Sequence, residues 1–186
     1  AKAIKDQKIR GVYETSPCFA SMIVHYEPDE IKFNDLKKEL LSLINSLGST
    51  DEIEINSRIF SFPTVYLDKW TKECIEDYSN KIAKKKPDPE LITELNNLEN
   101  TDQFVRVHSS TEYWVAAIGF WPGLPFMMAL DPRCKLTVPK YNPPRTWTPK
   151  GTVGMGGAST CIYPDRLPGG YQIFGIIPVP IWDTNK

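Results

Sequence analysis

The sequence predicts an α+β protein, with a small N-terminal α+β domain followed by a larger region that opens on helices and ends in β structure. Three observations carry this reading. Apolar and β-branched residues cluster in 12–26, directly ahead of an apolar stripe stepped at three and four residues. A polar break, "GSTDEIEINS" at 48–57, separates that unit from the rest. Most prolines and glycines fall after Glu112, between short β-rich runs, which is the punctuation of a closed or nearly closed β structure with long loops.

Taken in order, "AKAIKDQK" at 1–8 has the composition of the last turns of a helix, and the chain reads as if something upstream were missing. Residues 12–26 read as two strands joined near Ser16 and Pro17. Phe33, Leu36, Leu40, Leu43, Ile44 and Leu47 then mark a helix, with Asn34 as N-cap and Gly48 as its stop. The N-terminal domain is therefore set at 1–56 and the second at 57–186. In the second, Trp70, Cys74, Ile75, Tyr78 and Ile82 mark a helix. "KKKPDPE" at 84–90 interrupts it, and Leu91, Ile92, Leu95 and Leu98 mark another, capped by Asp88 with Pro89 at its first position. A third short helix starts at Thr101 as cap. Strands are expected at 112–120, 152–157, 159–164, 169–176 and 177–182.

Composition narrows function mainly by exclusion. With 22 basic and 23 acidic residues in 186, no charge imbalance favours nucleic acid or an anionic membrane. No run approaches the roughly 18 apolar residues of a membrane span, and the first residues lack the apolar core of a signal peptide. The four cysteines and two histidines are scattered without paired metal-ligand spacing, so no metal site is assigned; reduced thiols and a cytoplasmic location are the default.

Three glycine-proline loops, at 119–133, 140–157 and 164–172, are the segments that could carry chemistry. Glycine permits close backbone approach, and proline lowers the entropy lost on ordering a loop. A rigid loop with N–H groups, flanked by Lys140, Arg145 and Lys150, could receive a carboxylate or developing oxyanion; equally, such loops turn corners between strands. Asp131 and Arg133 either pair with each other or face a substrate beside Lys140. His108, at a helix C-terminus, reads as structural, held protonated by the helix dipole. Cys161 reads as a buried, inert thiol. The aromatics Trp114, Trp121, Trp147, Tyr141 and Tyr171 read as packing, with some lining a cleft. Neither GxxxxGK[ST] nor GxGxxG is present.

"GFWPGLPFM", "LDPR", "KYNPPRTWTPKGTVGMGGA" with "CIY", and "PGGYQIFGIIPVPIW" resemble the subunit-1 carboxyltransferase family, often labelled allophanate hydrolase subunit 1. The resemblance reaches back through "GVYETSPCFASMIVHYEP" and so covers nearly the whole chain. That family includes the carboxyltransferase region of urea carboxylase, a subunit of ATP-dependent 5-oxoprolinase, and a sporulation-kinase inhibitor. "KYNPPRTWTP" and "TKECIEDYSNKI" are similar to the carboxylase, whereas "GFWPGLPF" is similar to the oxoprolinase and inhibitor branch.

The resemblance implies a cyclophilin-like β-barrel with a helical insertion after the N-terminal domain, and roughly forty further N-terminal residues, about the size of a small β-β-α unit. It also implies carboxyl transfer from carboxylated biotin, supplied by another domain or subunit, to a small urea- or amide-like substrate. The partners would be a subunit-2 carboxyltransferase domain, a biotin carboxylase and a biotin carrier module. On that basis Lys140, Arg145 and the backbone of Gly154, Gly156 and Gly157 are assigned to anion stabilisation, and Tyr141, Asn142 and Asp131 to substrate orientation. Gly169 and Gly170 complete the expected substrate-binding set. A 5-oxoprolinase subunit and a non-catalytic kinase inhibitor are the alternatives.

Overall fold

The computed structural model describes residues 1–48 and 56–183, so most of the polar break read at 48–57 lies outside the described residues. The chain divides into two units, Ala1–Phe60 and Ser61–Lys186.

In the first unit, α1 (Lys2–Gln7) is closed by Lys8 in a left-handed conformation, φ 51°. Strands β1 (Val12–Cys18) and β2 (Ser21–Tyr26) form an antiparallel hairpin. Its turn lies at Phe19 and Ala20, later than the expected Ser16 and Pro17, because Pro17 pairs within the ladder opposite Met22. Helix α2 (Phe33–Ser46) begins after Lys32 with no side-chain cap, so Asn34 sits inside its first turn. Gly48, at φ 62°, follows its C-terminus and supplies the left-handed residue that a helix end favours. The buried stripe is narrower than the sequence pattern: Leu36 joins Ile4, Ile9 and Ile31, with Leu40 and Leu43 packed against them, while Phe33 and Ile44 face solvent.

The second unit holds β3 (Val65–Tyr66), α3 (Lys69–Lys81), α4 (Asp88–Leu95), α5 (Thr101–Ser109), β4 (Tyr113–Ile118), β5 (Pro125–Ala129), β6 (Thr152–Gly156), β7 (Ser159–Ile162) and β8 (Gln172–Ile176). Its strands run in the order β4-β5-β7-β6-β8-β3, with every neighbouring pair antiparallel. Strand β5 arises inside a segment read from sequence as a loop; Phe126, Met127 and Met128 pair with Cys161, Thr160 and Ser159 of β7. Conversely, 177–182, expected as a strand, stays outside the sheet. Pro178 and Pro180 have no N–H to give to a ladder.

The caps of α4 and α5 each lie one residue earlier than expected. Asp68 caps α3 by accepting from the N–H groups of Trp70 and Thr71, and Asn100 rather than Thr101 caps α5 by accepting from Gln103. Pro87 precedes α4, which turns Asp88 into its first helical residue and frees that carboxylate for another use.

Alternation along the strands divides the core in two, since successive strand residues face opposite sides of a sheet. Val153, Met155, Ile162 and Phe174 pack with Ile92 of α4 and Phe104 of α5. Cys161, Ile173 and Tyr171 pack with Cys74 and Ile75 of α3. All five residues of β6 are buried, and its two interior-strand glycines share one face.

Candidate functional site

The loop that leads into β6, 140–151, is tied to one buried carboxylate. Asp88 has no solvent exposure, and four groups converge on it. The Tyr141 hydroxyl donates to Oδ1, as does Lys85 Nζ at 2.9 Å; the backbone N–H of Ile173 donates to Oδ2 at 2.7 Å, and Arg145 Nη1 stands 3.5 Å from the same oxygen. Two cations also flank the Tyr141 ring, Lys85 Nζ at 3.5 Å and the Arg145 guanidinium carbon at 4.4 Å from its centroid. Burial lowers the proton affinity of Lys85, a tendency that Asp88 opposes. Burial raises that of Tyr141, which therefore remains a phenol and a donor.

Around this hub the loop is tied at several points. Tyr141 N–H donates to Gly170 O, and Arg145 and Gly169 exchange backbone bonds of 2.9 and 3.0 Å. Tyr78 donates to Pro143 O at 2.7 Å, next to the cis Asn142–Pro143 peptide. Gln172 Nε2 donates to Pro139 O at 2.7 Å. At Gly169 the Tyr163 ring occupies the place of a side chain, so only glycine fits there.

Lys140 and Asn142 are on the exposed side of this loop. The Lys140 ammonium lies 5.2 Å from the centre of the Tyr171 ring and, among the described residues, has no carboxylate partner. Its stem packs on Gly156, where an added Cβ would stand 2.9 Å from Lys140 Cγ and 2.7 Å from the Tyr171 ring. Burial raises the Tyr171 proton affinity, partly offset by a hydrogen bond with Ser159. The result is an open cation above a neutral phenol, set on a glycine too closely packed to carry a side chain.

The other expected residues are placed differently. Arg145 is 2% exposed; it faces inward, giving Nη2 to Tyr171 O and Nε to Thr148, so its work is to hold the loop rather than to meet a ligand. Gly154 and Gly156 lie within the β6 ladder, and Gly157 donates its N–H to Val138 O at 2.7 Å. These backbone groups are spent on the sheet and do not form an oxyanion hole. Gly154 instead allows close strand approach, since a Cβ there would sit 2.9 Å from Gln172 O. Asp131 accepts from Arg133 at 2.7 to 3.1 Å and also caps the 3-10 turn Pro132–Cys134, which decides for the ion pair. Gly170 packs beside the Lys140 and Pro144 side chains.

His108 is buried and neutral, which corrects the expectation of a protonated residue. Its ring lies 2.8 Å from Tyr66 Oη and 3.2 Å from Thr160 Oγ1, and desolvation pushes it down to about 4. Burial likewise raises Cys161 far above the ordinary thiol range. Asp88 is the residue that sequence reasoning missed in this role. Its bonding partners at Tyr141 and Ile173 lie 53 and 85 residues away, and nothing local distinguishes it from a helix cap.

The family described as carboxyltransferase domain, subdomain C and D, matches residues 1–186. A urea amidolyase of Lachancea kluyveri is 33% identical over 184 residues, covering 96% of this chain and 10% of that protein. A 5-oxoprolinase subunit of Bacillus subtilis is 27% identical over 196 residues, covering all of this chain and 73% of that protein. The crystal structure of Kluyveromyces lactis urea carboxylase superposes with a TM-score of 0.84 at 27% identity, covering 95% of this chain and 16% of that one. The chain thus spans about a tenth of the length of the urea amidolyase it matches.

Proposed function

The chain belongs to the carboxyltransferase-domain family, subdomains C and D, and from that premise we propose that it forms part of a biotin-dependent carboxyltransferase similar to urea carboxylase. In this reading, Ser61–Lys186 forms the cyclophilin-like barrel, works in the cytoplasm with its thiols reduced, and pairs with a subunit-2 domain. Biotin carboxylase and carrier modules complete the assembly. The acceptor is a small urea- or amide-like molecule.

One observation carries the site: Lys140 presents an ammonium with no carboxylate partner among the described residues, beside Tyr171, on a loop anchored through Tyr141 to buried Asp88. A fixed cation facing a place where carboxylate charge resides or develops lowers a transfer barrier, because it needs no reorganisation at the moment of reaction. Carboxylated biotin, when bound, supplies the carboxyl group. Lys140 then holds its anionic oxygens, Asn142 at the exposed rim orients the acceptor amide, and Tyr171 stays protonated as a neutral wall. Arg145 acts through the loop, as a positioning residue.

The test is reconstitution with the partner modules. Lys140→Met is expected to lower carboxyl transfer about a hundredfold, the usual scale for one oxyanion-stabilising donor, while the exposed position leaves the melting temperature unchanged. Transfer within about twofold of wild type would overturn the assignment. The match over the full chain to a 5-oxoprolinase subunit favours a second reading, an ATP-dependent amidohydrolase component. Turnover of 5-oxoproline with a partner subunit, ATP and no biotin module would select it.

A further inference from the structure

The second unit also carries an open groove of about 740 Å3, whose lining does not include Lys140, Tyr141, Asn142 or Tyr171. That volume lies in the range of small-ligand pockets. Its walls are Trp70 on α3, Trp147 on the loop, Tyr163 after β7, and the proline-rich segment 178–181. Each of these is apolar or aromatic. Lys150 and Arg166 also line it, both exposed, and among the described residues neither makes an ion pair. Arg166 instead lies over the Trp147 ring at 4.8 Å.

The groove is built rather than loose. Trp147 Nε1 donates to Asp77 at 3.0 Å, which sets the indole plane. Gly151 adopts φ 80° and gives its N–H to Tyr163 O, while Ile177 returns a bond to Gly151 O, each 2.8 Å. The Ile177 carbonyl occupies the place of a side chain at Gly151, so the Lys150–Gly151 turn is pressed against the start of the 178–181 wall. Glu73 is a third charged residue of the lining, and two cations against one carboxylate suit a single negative charge better than a phosphate or dicarboxylate.

We infer that this groove binds a monocarboxylate with an extended apolar body, its charge between Lys150 and Arg166 and its body against Trp70, Trp147 and 178–181. Carboxylate binding to cations in a partly apolar wall is stronger than in water alone, and the body adds affinity in proportion to the surface it buries.

Isothermal titration of the intact chain with butyrate, hexanoate and octanoate tests this. Affinity is expected to rise by up to about fourfold per methylene, following the transfer free energy of that group. Octanol should bind at least about tenfold more weakly than octanoate, and Lys150→Met or Arg166→Met should each weaken octanoate about tenfold, as for loss of a charged hydrogen bond. Both substitutions are at exposed positions, so folding is retained. Lys140→Met should leave octanoate binding unchanged. Absence of saturable binding, equal binding of octanol and octanoate, or loss through Lys140→Met with Lys150→Met and Arg166→Met silent would overturn the inference.

Discussion

Replacing Asp88 with asparagine preserves shape and one carbonyl acceptor but removes the negative charge that, among the described residues, alone is set against Lys85 and Arg145 in the hub. Both cations are poorly hydrated: the side-chain exposure is 18% for Lys85, 1% for Arg145 and zero for Asp88 itself. Breaking a buried charge pair by removing one partner costs about 3 to 5 kcal/mol, because the other charge remains desolvated. At about 2 to 4 °C per kcal/mol for a protein of this size, Asp88→Asn should lower the melting temperature by about 6 to 20 °C. Circular dichroism melts at pH 7 provide the measurement. Lys85→Met in the same background should recover part of the loss, since it removes a charge that has lost its partner, and contacting residues commonly couple by about 0.5 to 3 kcal/mol. A drop smaller than about 2 °C, or strictly additive single and double variants, would refute the view that Asp88 organises this loop.

Three other outcomes follow from the same structure. His108 has a folded-state value of about 4 against an ordinary 6.5, so the unfolded chain binds more protons between these values. Stability should be full above about pH 6.5 and fall by about 3 kcal/mol as pH drops to about 4. Urea titrations across that window should show a shallower dependence in His108→Phe, and an unchanged slope would discount the residue. Thiol titration of the native protein should find one fast cysteine, Cys18, because Cys74, Cys134 and Cys161 are buried and burial pushes Cys74 up to about 11; two fast thiols would contradict the packing. Gly156→Ala should displace Lys140 and Tyr171, costing about 1 to 3 kcal/mol and reducing carboxyl transfer in the reconstituted assembly, whereas a neutral result in both assays would show that the pair can shift without consequence.

The α+β class, the helices α2 to α5 and most strands of the second unit were legible because they depend on periodicity and on turn residues, both local properties. Glycine-proline density marked the Lys140 loop for the same reason. Strand β5 was hidden, since "LPFMMAL" is a short apolar run with no alternation, and its pairing with β7 joins residues more than thirty positions apart. The 177–182 segment failed in the opposite sense, offering β-branched residues whose prolines cannot join a ladder.

The sequence by itself therefore determined the family, the helices and most strands of the second unit, and it marked the loop that carries Lys140 at the surface. Tertiary structure alone decided which polar groups face inward. It turned Arg145 and Asp88 toward each other, spent the glycine N–H groups on the sheet, paired Asp131 with Arg133, and opened a groove beside Trp147. Burial of a charge depends on what the rest of the chain brings to it, and neither composition nor spacing records that.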